Sequence, residues 1–292
     1  MKIDKFVSSM PRSTPNKKTL KRFYEREALA MNHQKLMYRK GEKNEVWWHT
    51  KRFSYVIQFI EETLEDQKTF IDVGCAEGYY IKYTVDRFNK VFGVGADIAH
   101  SYINKAKRNL GEKNVAFVVC DAESLPFREY SFDVVLCSEV LEHTVNYHKA
   151  LTELIRVANR CIIISFPGHT FVYGLLARPK LLRHLAHRMM PPVGHLSPVG
   201  HLSDIAILHV KSFVKTSNEV MLENLLVGGA FPMQLYKLIP SAGLINAIDG
   251  IACRILNSLK LTEYTTIRVM KIVKKSVHEN HAADYLVDVK QT

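Results

Sequence analysis

The stretch "FIDVGCAEGYY", Phe70 to Tyr80, runs from apolar residues into glycines at Gly74 and Gly78, then into a helical pattern. A strand that ends in a glycine-bearing turn and opens a helix is where an open α/β sheet binds nucleotides, outside the carboxyl ends of its strands. Glycine there lets a ligand approach the backbone closely. The spacing narrows the choice of ligand. A dinucleotide fingerprint needs G-x-G-x-x-G/A, but from Gly74 the chain reads G-C-A-E-G-Y, which argues against NAD or FAD. No Gly-Lys-Ser/Thr follows, so a phosphate-cradling P-loop is excluded.

Working outward, short β-rich runs ("TFIDVG", "KVFGVGAD", "VAFVVCD", "FDVVLCS", "CIIISFP") alternate with helical stretches such as "SYINKAKRNL" and "YHKALTELIRVAN". That alternation marks βαβ units around a buried parallel sheet. Ahead of it, "KKTLKRFYEREALAM" and "KRFSYVIQFIEETLE" repeat apolar residues at three- and four-residue spacing, as amphipathic helices do. Behind it, a His-rich, Pro-interrupted segment precedes "NEVMLENLLVGG", "GLINAIDGIACRIL" and a closing strand "YTTIRVMKIVKK". The expected organisation is a helical cap over 1–66, a catalytic domain over 67–275 with 168–213 as an inserted lid, and a polar tail over 276–292.

An acid two positions before the first glycine gives Asp72-x-Gly74-x-Ala76-x-Gly78, which resembles motif I of the class I S-adenosylmethionine-dependent methyltransferases, with Ala76 at the middle glycine. Three further matches follow in order. Asp97 ends the second strand, Asp121-Ala122 ends the third, and "SFDVVLCSEVLEH" resembles the D-x-V-x-x-x-x-V/L-E-H run of small-molecule methyltransferases. The resemblance covers roughly residues 67–167. It implies an α/β, Rossmann-like class I methyltransferase sheet, mostly parallel with an antiparallel edge strand, carrying an N-terminal helical cap and an inserted lid. It implies S-adenosylmethionine as cofactor, held by Asp72, Gly74, Cys75, Ala76 and Gly78, with the ribose on Asp97 beside Ile98, the adenine against Asp121 and Ala122, and Ser138 close by. The plain alternative is that aspartates are favoured at turns anyway and that Gly78 serves helix packing.

Methyl transfer from a sulfonium is an in-line displacement, so the protein chiefly supplies position. A base is needed only for a hydroxyl or ammonium acceptor. His143, just beyond the fourth strand, is the first candidate; a histidine bonding backbone at a helix start is the competing reading. Glu139, Glu142 and His143, at i, i+3 and i+4, would share one face if helical and could hold a divalent metal. This E-x-x-E-H pattern resembles that of the ubiquinone-biosynthesis O-methyltransferases, whose members are associated with such an ion. Acids near a helix start are favoured by the dipole alone, and a metal is not favoured.

Trp47, Trp48 and His49, with Tyr24, either close over cofactor and substrate or pack into the core. The duplicated "PVGHLSPVGHLS" carries His195 and His201; His201 is a second candidate for the acceptor, against a loop without chemistry, and two histidines are too few for a zinc site. "TFVYGLLARPKLLRHLAHRMM" interleaves leucines with Arg and Lys, which suits either an interfacial helix on anionic lipid or an ordinary lid on the core.

With 292 residues and 47% hydrophobic content the chain can bury one sizeable core. The net charge of +11 is concentrated: residues 1–52 hold fourteen Lys/Arg against five Asp/Glu. Solvated basic faces, anionic lipid and nucleic acid all remain open on charge alone. Five cysteines without a C-x-x-C pair suggest reduced thiols. Without a signal-peptide h-region or a long apolar run, the expectation is a cytoplasmic protein, at most peripheral to a membrane. The expected acceptor is a small lipophilic molecule, lipid or quinone-like, with O-methylation favoured over N or C. The alternatives are an RNA methyltransferase and a cofactor-binding, non-catalytic homologue. Nucleic acid is not favoured, since "CSEVLEH" replaces the N/D-P-P-Y/F that clamps a flipped base and no RNA-binding module is attached.

Overall fold

The computed structural model describes residues 16–35, 37–38, 43–64, 69–111, 113–168, 207–231, 233–236 and 238–275. The apolar runs become strands β1 (Thr69–Val73), β2 (Phe92–Asp97), β3 (Val115–Val119), β4 (Phe132–Ser138), β5 (Ala158–Ser165), β6 (Val220–Gly228) and β7 (Ile267–Lys274). The helices are α1 (Lys17–Ala30), α2 (Lys43–Thr63), α3 (Tyr79–Arg87), α4 (His100–Leu110), α5 (Tyr147–Val157), α6 (Ile207–Thr216) and α7 (Ala242–Ser258), with shorter turns between them.

The strands form one sheet in the order β3-β2-β1-β4-β5-β7-β6. All neighbouring pairs from β3 to β5 are parallel, and β7 runs antiparallel to both β5 and β6. The antiparallel strand is therefore one place in from the edge, where the sequence had placed it outermost. The outermost strand is β6, formed by "VMLENLLVG".

Buried residues line both faces of the sheet, as a parallel sheet requires. Ile71, Val73 and Val135 pack with Leu151 and Leu154 of α5 and Val210 and Val214 of α6. On the other face, Phe70, Val134 and Leu136 pack with Val56 and Ile60 of α2, Ile81 of α3 and Ile245 of α7. Asparagine or serine starts three helices: Asn16, Asn146 and Ser241 accept the N–H of Thr19, Lys149 and Leu244, satisfying donors that a helix start leaves open.

The cap expected over 1–66 contributes α1 and α2 to the described residues. Of the expected lid, 169–206 lies outside them, and so does the tail over 276–292. Trp47, Trp48 and His49 lie within α2, buried. The indole N–H of Trp47 donates to Asn246 (3.1 Å) and that of Trp48 to Thr266 (3.0 Å), so both tryptophans are core residues, the first tying α2 to α7 and the second to the residue just before β7.

Candidate active site

Where β1 ends, Gly74 turns the chain with φ of 83° and Gly78 starts α3 with φ of 84°. The backbone N–H groups of Gly74 and Cys75 both donate to Ala96 O (2.7 and 3.0 Å), which clamps the loop onto the end of β2. A Cβ on Gly74 would lie 2.2 Å from Val140 Cγ2, so no side chain fits between this loop and the chain leaving β4. Ala76 takes φ of 45°, a left-handed conformation costly for alanine, and its N–H donates to Asp97 Oδ2 (3.0 Å). Asp97 Oδ1 accepts the N–H of Ala99 (2.9 Å). Burial pushes the Asp97 carboxyl up to about 6, against the lowering effect of those two hydrogen bonds.

Asp97 faces a cavity of ≈ 1150 Å³, counting its open mouth, at the carboxyl ends of β1 to β4. Gly74, Ala76, Ile98, Asp121, Ala122 and Ser138 also line it. Asp72, Cys75 and Gly78 do not. Asp72 is buried below, its carboxyl raised well above the usual range by burial and then by Asp97. Cys75 turns its thiol into the core, and Gly78 meets Leu110 and Ala106 of α4, so this glycine serves helix packing.

The roof of the cavity is α1. Lys17 pairs with Asp121 (2.6 Å) and Glu123 (2.9 Å). Glu25 accepts the N–H of His100 (2.6 Å) and of Ser101 (3.0 Å) at the start of α4. Glu27 accepts the Tyr102 hydroxyl (2.8 Å). Just beyond, Gln34 accepts the N–H of Tyr79 (3.2 Å) and donates to Cys75 O (3.3 Å), fastening the cap to the glycine loop.

The far end of the cavity is built by the chain leaving β4. The expected helical face of Glu139, Glu142 and His143 does not form: Glu139 has φ of 57°, and only Leu141–His143 make a 3-10 turn. Glu139 pairs instead with the buried Arg52 (3.2 Å) and accepts the Ser165 hydroxyl (3.2 Å). Glu142 points inward, its carboxyl pushed well above the usual range by burial and then by the Glu139 charge. Among the described residues no three His, Cys, Asp or Glu side chains converge as metal ligands. His143 does line the cavity, 6.0 Å from the Tyr24 ring, with Glu142 Oε1 3.9 Å from its Nε2. His49 is buried beside Tyr38 and Trp48, off the cavity. His201 lies outside the described residues.

Several lining residues were not expected from the sequence: Lys17, Leu20, Glu27, Gln34, Arg52 and Tyr80. The amphipathic pattern of α1 announces a buried face without saying what it covers.

Residues 71–160 match the family model described as a methyltransferase domain. The chain carries a methyltransferase domain. Around it, the chain is 31% identical over 130 residues to a fatty-acid O-methyltransferase of Mycolicibacterium smegmatis, covering 43% of this chain and 44% of that one. It is 32% identical over 91 residues to a tRNA U34 carboxymethyltransferase of Campylobacter curvus, 30% of each chain. The chain thus spans less than half the length of the curated relatives it matches. The magnesium protoporphyrin IX methyltransferase of Synechocystis, solved with bound SAH, superposes with a TM-score of 0.59 at 14% identity, covering 89% of this chain and 100% of that one. The methyltransferase domain therefore has the class I, Rossmann-like fold. The narrower likeness to ubiquinone-biosynthesis enzymes rests on the Glu139, Glu142 and His143 residues alone.

Proposed function

We propose that the chain transfers a methyl group from S-adenosylmethionine to a small lipophilic acceptor. One observation carries the reading: the buried Asp97 carboxylate, at the end of β2, faces the same cavity as Gly74, Asp121 and His143. The residues present fit the cofactor. Asp97 offers acceptor lone pairs to ribose hydroxyls, Ile98 and Ala122 offer apolar surface to an adenine, and the side-chain-free Gly74 leaves backbone open to the methionine portion. When bound, the cofactor supplies a methyl group on a positive sulfonium.

The protein's own part is placement. Asp97, held by two backbone N–H groups, needs no rearrangement to accept from a diol, and fixing the donor in place lets orientation supply part of the barrier reduction in a displacement. The α1 roof covers the cavity from above with Leu20 and Tyr24. At the far end, His143 is placed to take the proton of a hydroxyl acceptor as the methyl arrives, with Glu142 behind it to orient the ring. The apolar lining from Leu20, Met37, Val140 and Val145 favours a lipophilic acceptor, a reading supported by the fatty-acid O-methyltransferase among the relatives.

The test is incubation of cell extract with the protein and methyl-labelled S-adenosylmethionine, sorted into organic-extractable, small polar and RNA fractions. Label is expected in the organic fraction, and His143→Ala should lower its rate by roughly 10²–10⁴-fold with little change in cofactor affinity. Label in RNA would support the nucleic-acid reading instead, and cofactor binding without transfer to any fraction would support a non-catalytic homologue.

A further inference from the structure

Arg52 is a buried cation on the cavity wall, and the transfer proposed above makes no use of it. It sits on α2, 2% exposed, and lines the cavity beside Tyr38, Tyr80, Ser138 and Glu139. Its Nη2 donates to the Tyr38 hydroxyl (3.3 Å), its Nη1 lies 3.2 Å from Glu139 Oε2, and the guanidinium rests 5.0 Å from the centre of the Trp48 ring. Yet Nε and Nη1 meet no acceptor in hydrogen-bond geometry among the described residues. A guanidinium carries five N–H donors and keeps its charge inside proteins, and buried donors left unmet are costly. On a cavity wall, that arrangement calls for a ligand with acceptor oxygens.

Strand register decides which part of a ligand reaches it. Val73 of β1 stands beside Ala96 of β2, and Asp72 beside Leu136 of β4; continuing both ladders sets Gly74 between Asp97 and Ser138. Asp97 and Ser138 thus flank the glycine loop on opposite sides, about two strand spacings or roughly 10 Å apart, and Glu139 with its Arg52 partner follows directly on Ser138. A ligand held by its ribose on Asp97 crosses that gap with its sulfur-linked carbon chain. It then presents its amino-acid end, a carboxylate and an ammonium on one carbon, to the ion pair. The charges are complementary: the guanidinium fork suits a carboxylate, while the Glu139 carboxylate accepts from an ammonium. Such a zwitterion adds no net charge to a buried pair. A carboxylic acid acceptor in the same place would set a second carboxylate against Glu139 with one guanidinium between them, so the amino-acid end of the cofactor is the better match. Helix α2 lies outside the matched residues 71–160, which makes Arg52 a contribution of the cap.

Resting on the adenosyl-cofactor reading above, we infer that Arg52 and Glu139 form a subsite for the amino-acid end of that cofactor, Arg52 holding the carboxylate and Glu139 the ammonium. The test compares S-adenosylhomocysteine with 5′-methylthioadenosine, which shares the adenosine and the sulfur but lacks the amino-acid end. Both are titrated calorimetrically into the native chain, Arg52→Lys and Arg52→Gln/Glu139→Gln. The native chain should prefer S-adenosylhomocysteine by about a hundredfold, as charge-assisted hydrogen bonds at both ends of a zwitterion allow. Arg52→Lys keeps the charge but loses the fork, and should give up part of that preference. The double variant removes both charges together, so neither is left buried alone. It should reduce the preference to about tenfold or less while binding 5′-methylthioadenosine as the native chain does. Should the double variant unfold, Arg52→Lys carries the comparison. An ion pair that only ties α2 to the end of β4 would weaken both ligands alike; that result, or an undiminished preference in the variants, would overturn the inference while the cofactor reading stands. Failure of the native chain to bind either ligand would overturn both.

Discussion

At the scale of single residues, two positions decide whether the cavity can work. Gly74 combines a left-handed φ of 83° with 2.2 Å between its notional Cβ and Val140 Cγ2. Gly74→Ala therefore meets both backbone strain and overpacking, and should cost on the order of 2–3 kcal/mol in a denaturation experiment; a loss below about 0.5 kcal/mol would mean the loop is not held as described. Asp97 sets a pH dependence. Its carboxyl is raised to about 6 by burial, with Glu25 and Glu27 of α1 adding to the rise. Ribose hydroxyls bond best to the ionised form, so cofactor affinity should be flat above about pH 6 and fall towards tenfold per unit below it, a slope that Asp97→Ala should remove. For the empty chain the sign is opposite. A raised carboxyl contributes stability that is full below its unfolded value of about 3.9 and is lost as pH rises through about 6, so folding and binding respond to this one group in opposite directions. A pH profile of calorimetric affinity with no break near 6 would show that Asp97 is not at the ligand.

At the scale of elements, α1 does what the start of α4 cannot do for itself. The residue before α4 is Ala99, which has no side chain to cap the helix, and Glu25 reaches across to accept the first N–H groups instead. Against burial, which raises it, the Ser101 side chain and these two N–H groups hold the Glu25 carboxyl below the usual range, so their stabilisation is present at neutral pH and is lost on acidification. Glu25→Ala should lower stability by about 1 kcal/mol, as loss of a cap does, and should speed cofactor release in stopped-flow measurements because the roof is tied down at that point. Unchanged stability together with unchanged release would leave α1 as a bystander. The sequence made the elements legible where one rule decided them: β1, β2 and β4 announce themselves as apolar runs, and the glycine loop by its place after β1. Apart from Tyr24, the roof was not legible, because amphipathic spacing in "KKTLKRFYEREALAM" says that Leu20 and Phe23 are buried but not that Lys17 and Glu27 face a cavity. The helical face on which Glu139, Glu142 and His143 could have met does not form for a local reason: the chain leaves β4 through a left-handed Glu139, and no sequence signal announced the Arg52 partner.

For the whole molecule, the sheet order puts the ends of β1, β2, β3 and β4 around one cavity, with the α1 roof above it and the chain leaving β4 at its far end. The acid at β2, the turn after β1 and the acid at β3 are far apart in sequence and are brought together by the crossovers alone, so only the resemblance to ordered methyltransferase motifs grouped them ahead of the fold. The lipophilic acceptor and the Arg52–Glu139 subsite can each fail without that core claim failing, since each has its own test. The acceptor reading assumes that the cavity holds an adenosyl cofactor by its ribose, and so does that subsite. Calorimetric titration of S-adenosylhomocysteine into the native chain and into Asp97→Ala at pH 7.5 measures this directly. One site per chain is expected, with no heat from NAD and a ten- to hundredfold weaker affinity in the variant, equivalent to about 1.5–3 kcal/mol for hydrogen bonds to a charged acceptor. Equal affinity in the two proteins, or no binding to the native chain, would contradict it.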